Sequence, residues 1–315
     1  MYLVPLFFAI LIIVFVATRI SGDPVRLMTA LTPHITPEYR QRLTEYYGLD
    51  KPLYQQFILY VQQLFRGDLG NAYIIRQGTP VTTLIGDYIW ATLQLQLLAL
   101  FFSLLIAIPV GIMSAKRQYS KLDISVTTTS LLGTCIPVFY MGILAIIIFS
   151  YFLGWFPPAG AHSIRPELYP FGSYALDSLW HLALPAAVLT FATLAPVVLL
   201  VRSSMLEVLR QDYVLAAKAS GLSERSVTYK HALRNAIIPL VTYVGLFFGS
   251  MLAGAPITET VFNWPGVGRL FVEATTKLDF PVIMGITVLI ALMTLVANLV
   301  ADITYGYIDP RIRLG

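Results

Sequence analysis

YIWATLQLQLLALFFSLLIAIPVGIMSA, from Tyr88 to Ala115, contains no Asp, Glu, Lys or Arg. Crossing about 30 Å of hydrocarbon takes roughly 20 helical residues, and a chain at that depth must satisfy its own backbone polar groups. The run therefore predicts a membrane-spanning helix. Further uncharged runs stand at Met1–Thr18, Ile124–Ile164, Ser178–Val201, Asn235–Thr258 and Phe280–Ala301. The run from Ile124 is too long for one span, but the turn cluster Gly154-Trp155-Phe156-Pro157-Pro158-Ala159-Gly160 ends its helix near Leu153. About six spans result, and the fold class is an all-α membrane protein.

Composition agrees. The chain has 315 residues, 57% hydrophobic and 12% charged, where a soluble domain carries about 25% charge. A formal charge of +4 would suggest nucleic acid as a partner of a soluble protein; in a membrane protein the excess faces the cytoplasm, so no nucleic-acid partner is expected. Met1–Thr18 lacks a basic leader and a small-x-small cleavage site, and reads as a retained first span rather than a signal peptide. The single cysteine, Cys135, excludes an intramolecular disulfide and reads as a small buried apolar residue.

Orientation follows from the short loops. Arg202, Arg210, Lys218, Arg225, Lys230 and Arg234 lie between spans four and five. Lys116, Arg117 and Lys121 lie between spans two and three, and Arg311 and Arg313 follow span six. These segments are expected to be cytoplasmic, with both termini on the same side. The expected division is a first transmembrane helix over residues 1–20, an extracytoplasmic segment over 21–88, and a transmembrane core over 89–315 whose cytoplasmic loop spans 202–236. The outer segment reads as helical. Thr36-Pro37-Glu38 starts a helix that Gly48 stops, and Leu53, Phe57, Val61 and Leu64 form a stripe over Pro52–Arg66, closed by the turn Gly67-Asp68-Leu69-Gly70. It is either a docking surface or lid for solute, or a cap packed on helix ends.

Catalytic machinery is not evident. No G-x-x-x-x-G-K-[ST] or H-E-x-x-H pattern occurs, and His34, His162, His181 and His231 are scattered, so no nucleotide or metal is expected on this chain. His181 reads as interfacial, and Gly266-Val267-Gly268 as a turn. Glu259 and Asp302 fall at span ends within reach of water, which leaves no intramembrane acid to couple transport to ions. A secondary transporter would need such residues and broken helices. An intramembrane enzyme would need a base beside a nucleophile such as Ser250.

The basic loop is the chemically distinctive segment. Ala216, Ala217 and Ala219 favour a helix with a thin face, Gly221 supplies a stop that permits positive φ, and Ser223 caps a second helix carrying Val227 and His231 back to the membrane. The result is a knob that another protein's backbone can approach closely, or an alanine-rich positive-inside loop. Its sequence resembles the coupling loop of ABC-importer permeases. Ala216, Ala217 and Gly221 match E-A-A-x3-G, while Leu215 replaces the acid and His231-Ala232-Leu233-Arg234 stands where I-x-L-P would be.

Asp212-Tyr213-Val214, Ala217, Ala219, Gly221-Leu222 and His231 through Asn235 are similar to the dipeptide, oligopeptide and nickel branch of that family. So are Gly48–Leu53, Ala91-Thr92-Leu93, Glu259–Arg269 and Asp309–Arg313, which look like that branch's first permease subunit. The resemblance implies a type I ABC importer permease fold in a bacterial inner membrane. It implies a second homologous permease as heterodimer partner, an extracytoplasmic solute-binding protein, and two ATPase subunits that use ATP and Mg. The cargo would be di- or oligopeptides, or nickel and metal chelates. Asp212, Tyr213, Ala216, Ala217, Ala219, Gly221, Leu222, His231, Arg234 and Asn235 are the expected ATPase-coupling residues. Glu259, Phe262, Trp264, Pro265, Gly266 and Arg269 are assigned to an outer gate, and Pro137 and Pro256 to bends in the spans.

Overall fold

The computed structural model describes residues 3–20, 25, 36–46, 48–165 and 173–308. His34 and the Asp309–Arg313 stretch lie outside the described residues. In chain order the helices are α1 (Leu3–Ile20), α2 (Pro37–Tyr46), α3 (Leu53–Phe65), α4 (Val81–Lys116), α5 (Lys121–Cys135), α6 (Val138–Ala145), α7 (Tyr174–Val208), α8 (Asp212–Ala219), α9 (Glu224–Ser226), α10 (Leu233–Ala236), α11 (Ile238–Met251), α12 (Pro256–Val261), α13 (Val267–Lys277) and α14 (Phe280–Ile308). π-helical turns extend α6 over Ile146–Phe152 and join α9 to α10 over Val227–Ala232.

Among the described residues, three helices are long and apolar enough to cross a membrane, namely α4, α7 and α14. Two bent pairs raise the number to five if each is one span, and α1 is a shorter apolar helix. Prolines and serines set the boundaries. Pro80 precedes α4, which begins at Val81 rather than near Tyr88 as hydropathy suggested; Asp87 sits inside the helix and is neutralised by Arg76 at 2.5 Å. Ser120 and Ser173 cap α5 and α7 by accepting hydrogen bonds from Asp123 N and Leu176 N. Pro109, Pro185 and Pro196 lie inside α4 and α7, where neighbouring helices make such interruptions tolerable.

The run from Ile124 is not a single straight element. Pro137 interrupts it, and the two halves meet at 97°, because proline removes a backbone donor and its ring excludes the helical conformation of the residue before it. Ile136 accordingly has φ −81° and ψ 123°. Cys135, expected to be buried, is exposed as the last residue of α5 before this corner. The run from Asn235 bends by 46° at Ile237 and ends at Met251, short of Thr258. Gly254 takes φ +74°, and Pro256 starts a separate short helix, so the chain breaks there rather than merely bending.

The long helices α4 and α7 form the central pair, flanked by α5 on α7 and by α11 against α14. At one end the core is Ile112, Val201 and Met205 continued by Val214, Val227 and Ala232. At the other it is Val81 and Leu84 with Val267, Leu270 and Ile286. Among the described residues between α1 and α4, α2 and α3 are helical as expected, with Gly48 at φ +62° and Asp68 Oδ1 accepting from Gly70 N at 2.8 Å. Phe57 meets Phe15 edge to face, which seats α3 on the end of α1.

Candidate functional site

The basic loop folds as a hairpin. α8 ends at Ala219, Gly221 turns the chain at φ +77°, and Ser223 Oγ accepts from Ser226 N at 3.3 Å to cap α9. Only glycine adopts that φ without strain, so the reversal is set by one residue. Val214 on α8 and Val227 and Ala232 on the returning arm are fully buried against Met205 and Val201 of α7. The hairpin is thereby an extension of the transmembrane core, not a tether. Asn235 Nδ2 donates to Tyr213 Oη at 2.6 Å, closing its two arms, and Lys116 Nζ meets Glu224 at 3.1 Å.

The opposite face is open. Tyr213, Leu215, Ala216, Ala219 and Leu222 are exposed, while Ala217 packs half-buried on the core. His231 is partly buried, and Arg234 and Asn235 are exposed where the return arm meets the span. Of the ten residues predicted as one coupling surface, Ala216, Ala219 and Leu222 form an exposed apolar face, Gly221 makes the turn, Tyr213 and Asn235 brace the arms, Asp212 and Arg234 are exposed charges, and Ala217 and His231 are partly buried.

Beneath the hairpin lies a node that hydropathy reasoning missed. Asp123 in the first turn of α5 is buried and accepts from Arg202 Nε at 2.6 Å and Nη2 at 2.8 Å, from Ser114 Oγ at 2.5 Å and from Tyr119 N at 2.9 Å. A paired fork of this kind fixes orientation as well as charge. It locks together the ends of α4, α5 and α7 from which the hairpin emerges.

At the other end, Glu259 corrects the expectation that water reaches it. It is fully buried. Its Oε1 accepts from Thr92 Oγ1 at 3.0 Å and Ala255 N at 3.1 Å, its Oε2 from Arg269 N at 2.8 Å, and Gly268 N adds a further bond. A Cβ on Gly266 would lie 2.4 Å from the carboxylate, so the Gly266-Val267-Gly268 stretch is no loose turn. It is the start of α13, where Gly266 and Gly268 put no side chain between the carboxylate and its backbone donors while Val267 points into the core. Trp264 Nε1 donates to Ala91 O at 2.9 Å, and Trp264 and Phe262 are buried. Of the six residues assigned to an outer gate, only Pro265 and Arg269 retain part of their surface; the set forms a plug that ties α12 and α13 to α4.

Two further acids are buried at helix ends. Asp279 accepts from the backbone N–H groups of Tyr73, Ile74 and Ile75 at 2.8 to 3.0 Å. Asp177 accepts from Ser163 N and Oγ, and its carbonyl lies 2.9 Å from Nδ1 of His181, which is buried rather than facing water. Each of these carboxylates is held by fixed partners, unlike an ion-coupling group that must exchange its proton or cation. The Ser250 hydroxyl donates to Phe247 O. Among the described residues, no three His, Cys, Asp or Glu are grouped to hold a metal ion.

Comparison with known proteins yields one consistent picture. The family described as "Binding-protein-dependent transport system inner membrane component" matches residues 107–314. The chain is 42% identical over 311 residues to the oligopeptide transport system permease protein AppB of Bacillus subtilis (strain 168), covering 98% of this chain and 96% of that protein. It is 39% identical to the di/tripeptide transport system permease protein DppB of Pseudomonas aeruginosa (strain UCBPP-PA14), over 99% and 96%. It is 36% identical to the dipeptide transport system permease protein DppB of Escherichia coli (strain K12), over 98% and 96%.

Proposed function

Since the chain belongs to the family of binding-protein-dependent transport system inner membrane components, we propose that it forms half of the translocation pathway of an ATP-driven importer for di- or oligopeptides. It is a non-catalytic membrane subunit, and ATP is used by partner ATPases. The second half of the pathway is a homologous permease, two ATPases sit beneath, and an extracytoplasmic binding protein delivers the cargo. Peptides are favoured over metal chelates because the similar AppB and DppB proteins are named for peptide transport.

The observation that carries this reading is the hairpin. Its back is continuous with the core of α4 and α7 through Val214, Val227 and Met205, while Tyr213, Leu215, Ala216 and Leu222 remain uncovered. A surface rigidly joined to the spans and apolar on its free side suits the receipt of mechanical work from a separate motor. The basic residues around it favour a cytoplasmic position, with both termini on that side. The Glu259 plug serves in this scheme as a stiff closure at the outer end of the pathway.

Gly221→Leu tests the assignment. No heavy atom lies within 4 Å of a Cβ built there, so the cost is conformational, about 1–2 kcal/mol for forcing a side chain left-handed. The expected result in proteoliposomes is loss of substrate-stimulated ATP hydrolysis and of uptake, with assembly retained. Stimulated hydrolysis at the parental rate would defeat the coupling assignment.

A further inference from the structure

Between the hairpin and the ends of α4 and α7 lies a cavity of about 240 Å³ that the coupling function leaves unused. Lys116 from α4, Arg210 from the end of α7 and Lys218 from α8 line it, opposed by the single carboxylate of Glu224. Thr228, which is buried, and Leu206 and Leu209, which pack against the core shared by α4, α7 and the hairpin, complete the lining. The internal pairing of these cations is slight. Glu224, the partner of Lys116, is 83% exposed, so water screens that pair. Among the described residues Arg210 meets only the neutral amide of Gln118, at 3.1 Å.

We propose that this pocket binds a phosphate-bearing anion, supplied either by the headgroup of an anionic phospholipid or by free phosphate. Three cations from three separate elements line one cavity together with the buried Thr228, and basic pockets at the cytoplasmic ends of transmembrane helices are suited to anionic headgroups. Because Lys218 belongs to the hairpin and Lys116 and Arg210 to the ends of the spans, a bound anion adds a second connection between them beside the buried packing of Val214 and Val227. Binding would stiffen that joint and make coupling depend on the lipid around the protein.

The test uses the assembled transporter in nanodiscs and the triple variant Lys116→Gln, Arg210→Gln, Lys218→Gln. In discs of equal parts phosphatidylglycerol and phosphatidylcholine, native mass spectrometry of the released complex counts retained lipid. Preferential retention of phosphatidylglycerol, falling roughly a hundredfold in affinity in the variant, assigns the site to a lipid headgroup. In discs of phosphatidylcholine alone, equilibrium dialysis with labelled inorganic phosphate reads the other source, and binding that the variant abolishes assigns it to a free anion. Equal retention of phosphatidylglycerol and equal phosphate binding by parent and variant overturn the proposal. So does carbodiimide crosslinking of Lys218 to a carboxylate of a neighbouring subunit, since the cations would then serve a protein contact. Should the triple variant assemble poorly, Lys218→Gln alone is compared with Lys218→Arg, which must restore binding. Neither arm depends on orientation, as a reversed topology would retain anion binding and change only the leaflet that supplies it.

Discussion

Replacing Glu259 with alanine removes the acceptor for three backbone N–H groups, those of Ala255, Gly268 and Arg269, together with Thr92 Oγ1. Hydrogen bonds to a charged acceptor are worth about 1.5–3 kcal/mol each, and an orphaned buried donor costs about 1–3 kcal/mol. Against this stands the desolvation of the carboxylate, several kcal/mol, which the variant no longer bears. The balance is a local loss of about 3–4 kcal/mol, which amounts to a factor of roughly 10² to 10³ in an opening equilibrium.

Glu259→Gln keeps the shape but turns one donor-bearing end towards a backbone N–H. It loses about one bond, close to a tenfold change. Amide hydrogen exchange of the purified transporter, resolved over residues 255–269, measures both. The expected order of exchange at Gly268 and Arg269 is parent, then glutamine, then alanine. Parental exchange rates in Glu259→Ala would refute the plug as described, because those amides would then be held by something other than the carboxylate.

The ion pair of Asp123 with Arg202 should show strong coupling in a double-mutant cycle of Asp123→Ala and Arg202→Met on thermal inactivation of the assembled complex. Asp123→Ala alone strands a largely buried guanidinium and is expected to cost about 3 kcal/mol, much of which the double variant recovers. Additive effects of the two changes would contradict the geometry. Asp279→Ala frees the N–H groups of Tyr73, Ile74 and Ile75, so limited proteolysis should open the chain between residues 71 and 80 before any other described loop. An unaltered digestion pattern would show that the carboxylate does not hold that segment.

Local punctuation was the most legible part of the sequence. Pro37, Gly48, the turn Gly67–Gly70 and the cluster after Leu153 all act where composition placed them, and in the hairpin Gly221 and Ser223 perform the turn and the cap expected of them. What eluded sequence reading depends on partners distant in the chain. Glu259 is satisfied partly by Thr92, and Asp123 by Arg202, pairs separated by 167 and 79 positions; charge at the end of an apolar run gives no hint of which side chain awaits it. A signal for the Glu259 cage did exist. Gly254, Gly266 and Gly268 surround the carboxylate, and three glycines bracketing one acid mark a backbone approach more specifically than a turn. The size of the corner at Pro137 was likewise beyond a proline's own message, since it is the packing of α6 on α7 and α12 that holds the second half aside.

The π-helical turn of the return arm carries its own history. Val227, Ala232 and Ala236 all face the core although the first interval is five residues and the second four. In an unbroken α-helix each residue advances about 100°, so a five-residue step would aim Ala232 well away from Val227. The wide turn absorbs the surplus residue, as an insertion accommodated in place would. Shortening the chain by one between Thr228 and His231 would therefore let the turn relax to ordinary pitch while the tip at Gly221 and the span beyond Ala236 keep their relative facing. Lengthening it would not. A single deletion in that segment would therefore leave Tyr213, Leu215 and Leu222 facing as they do now.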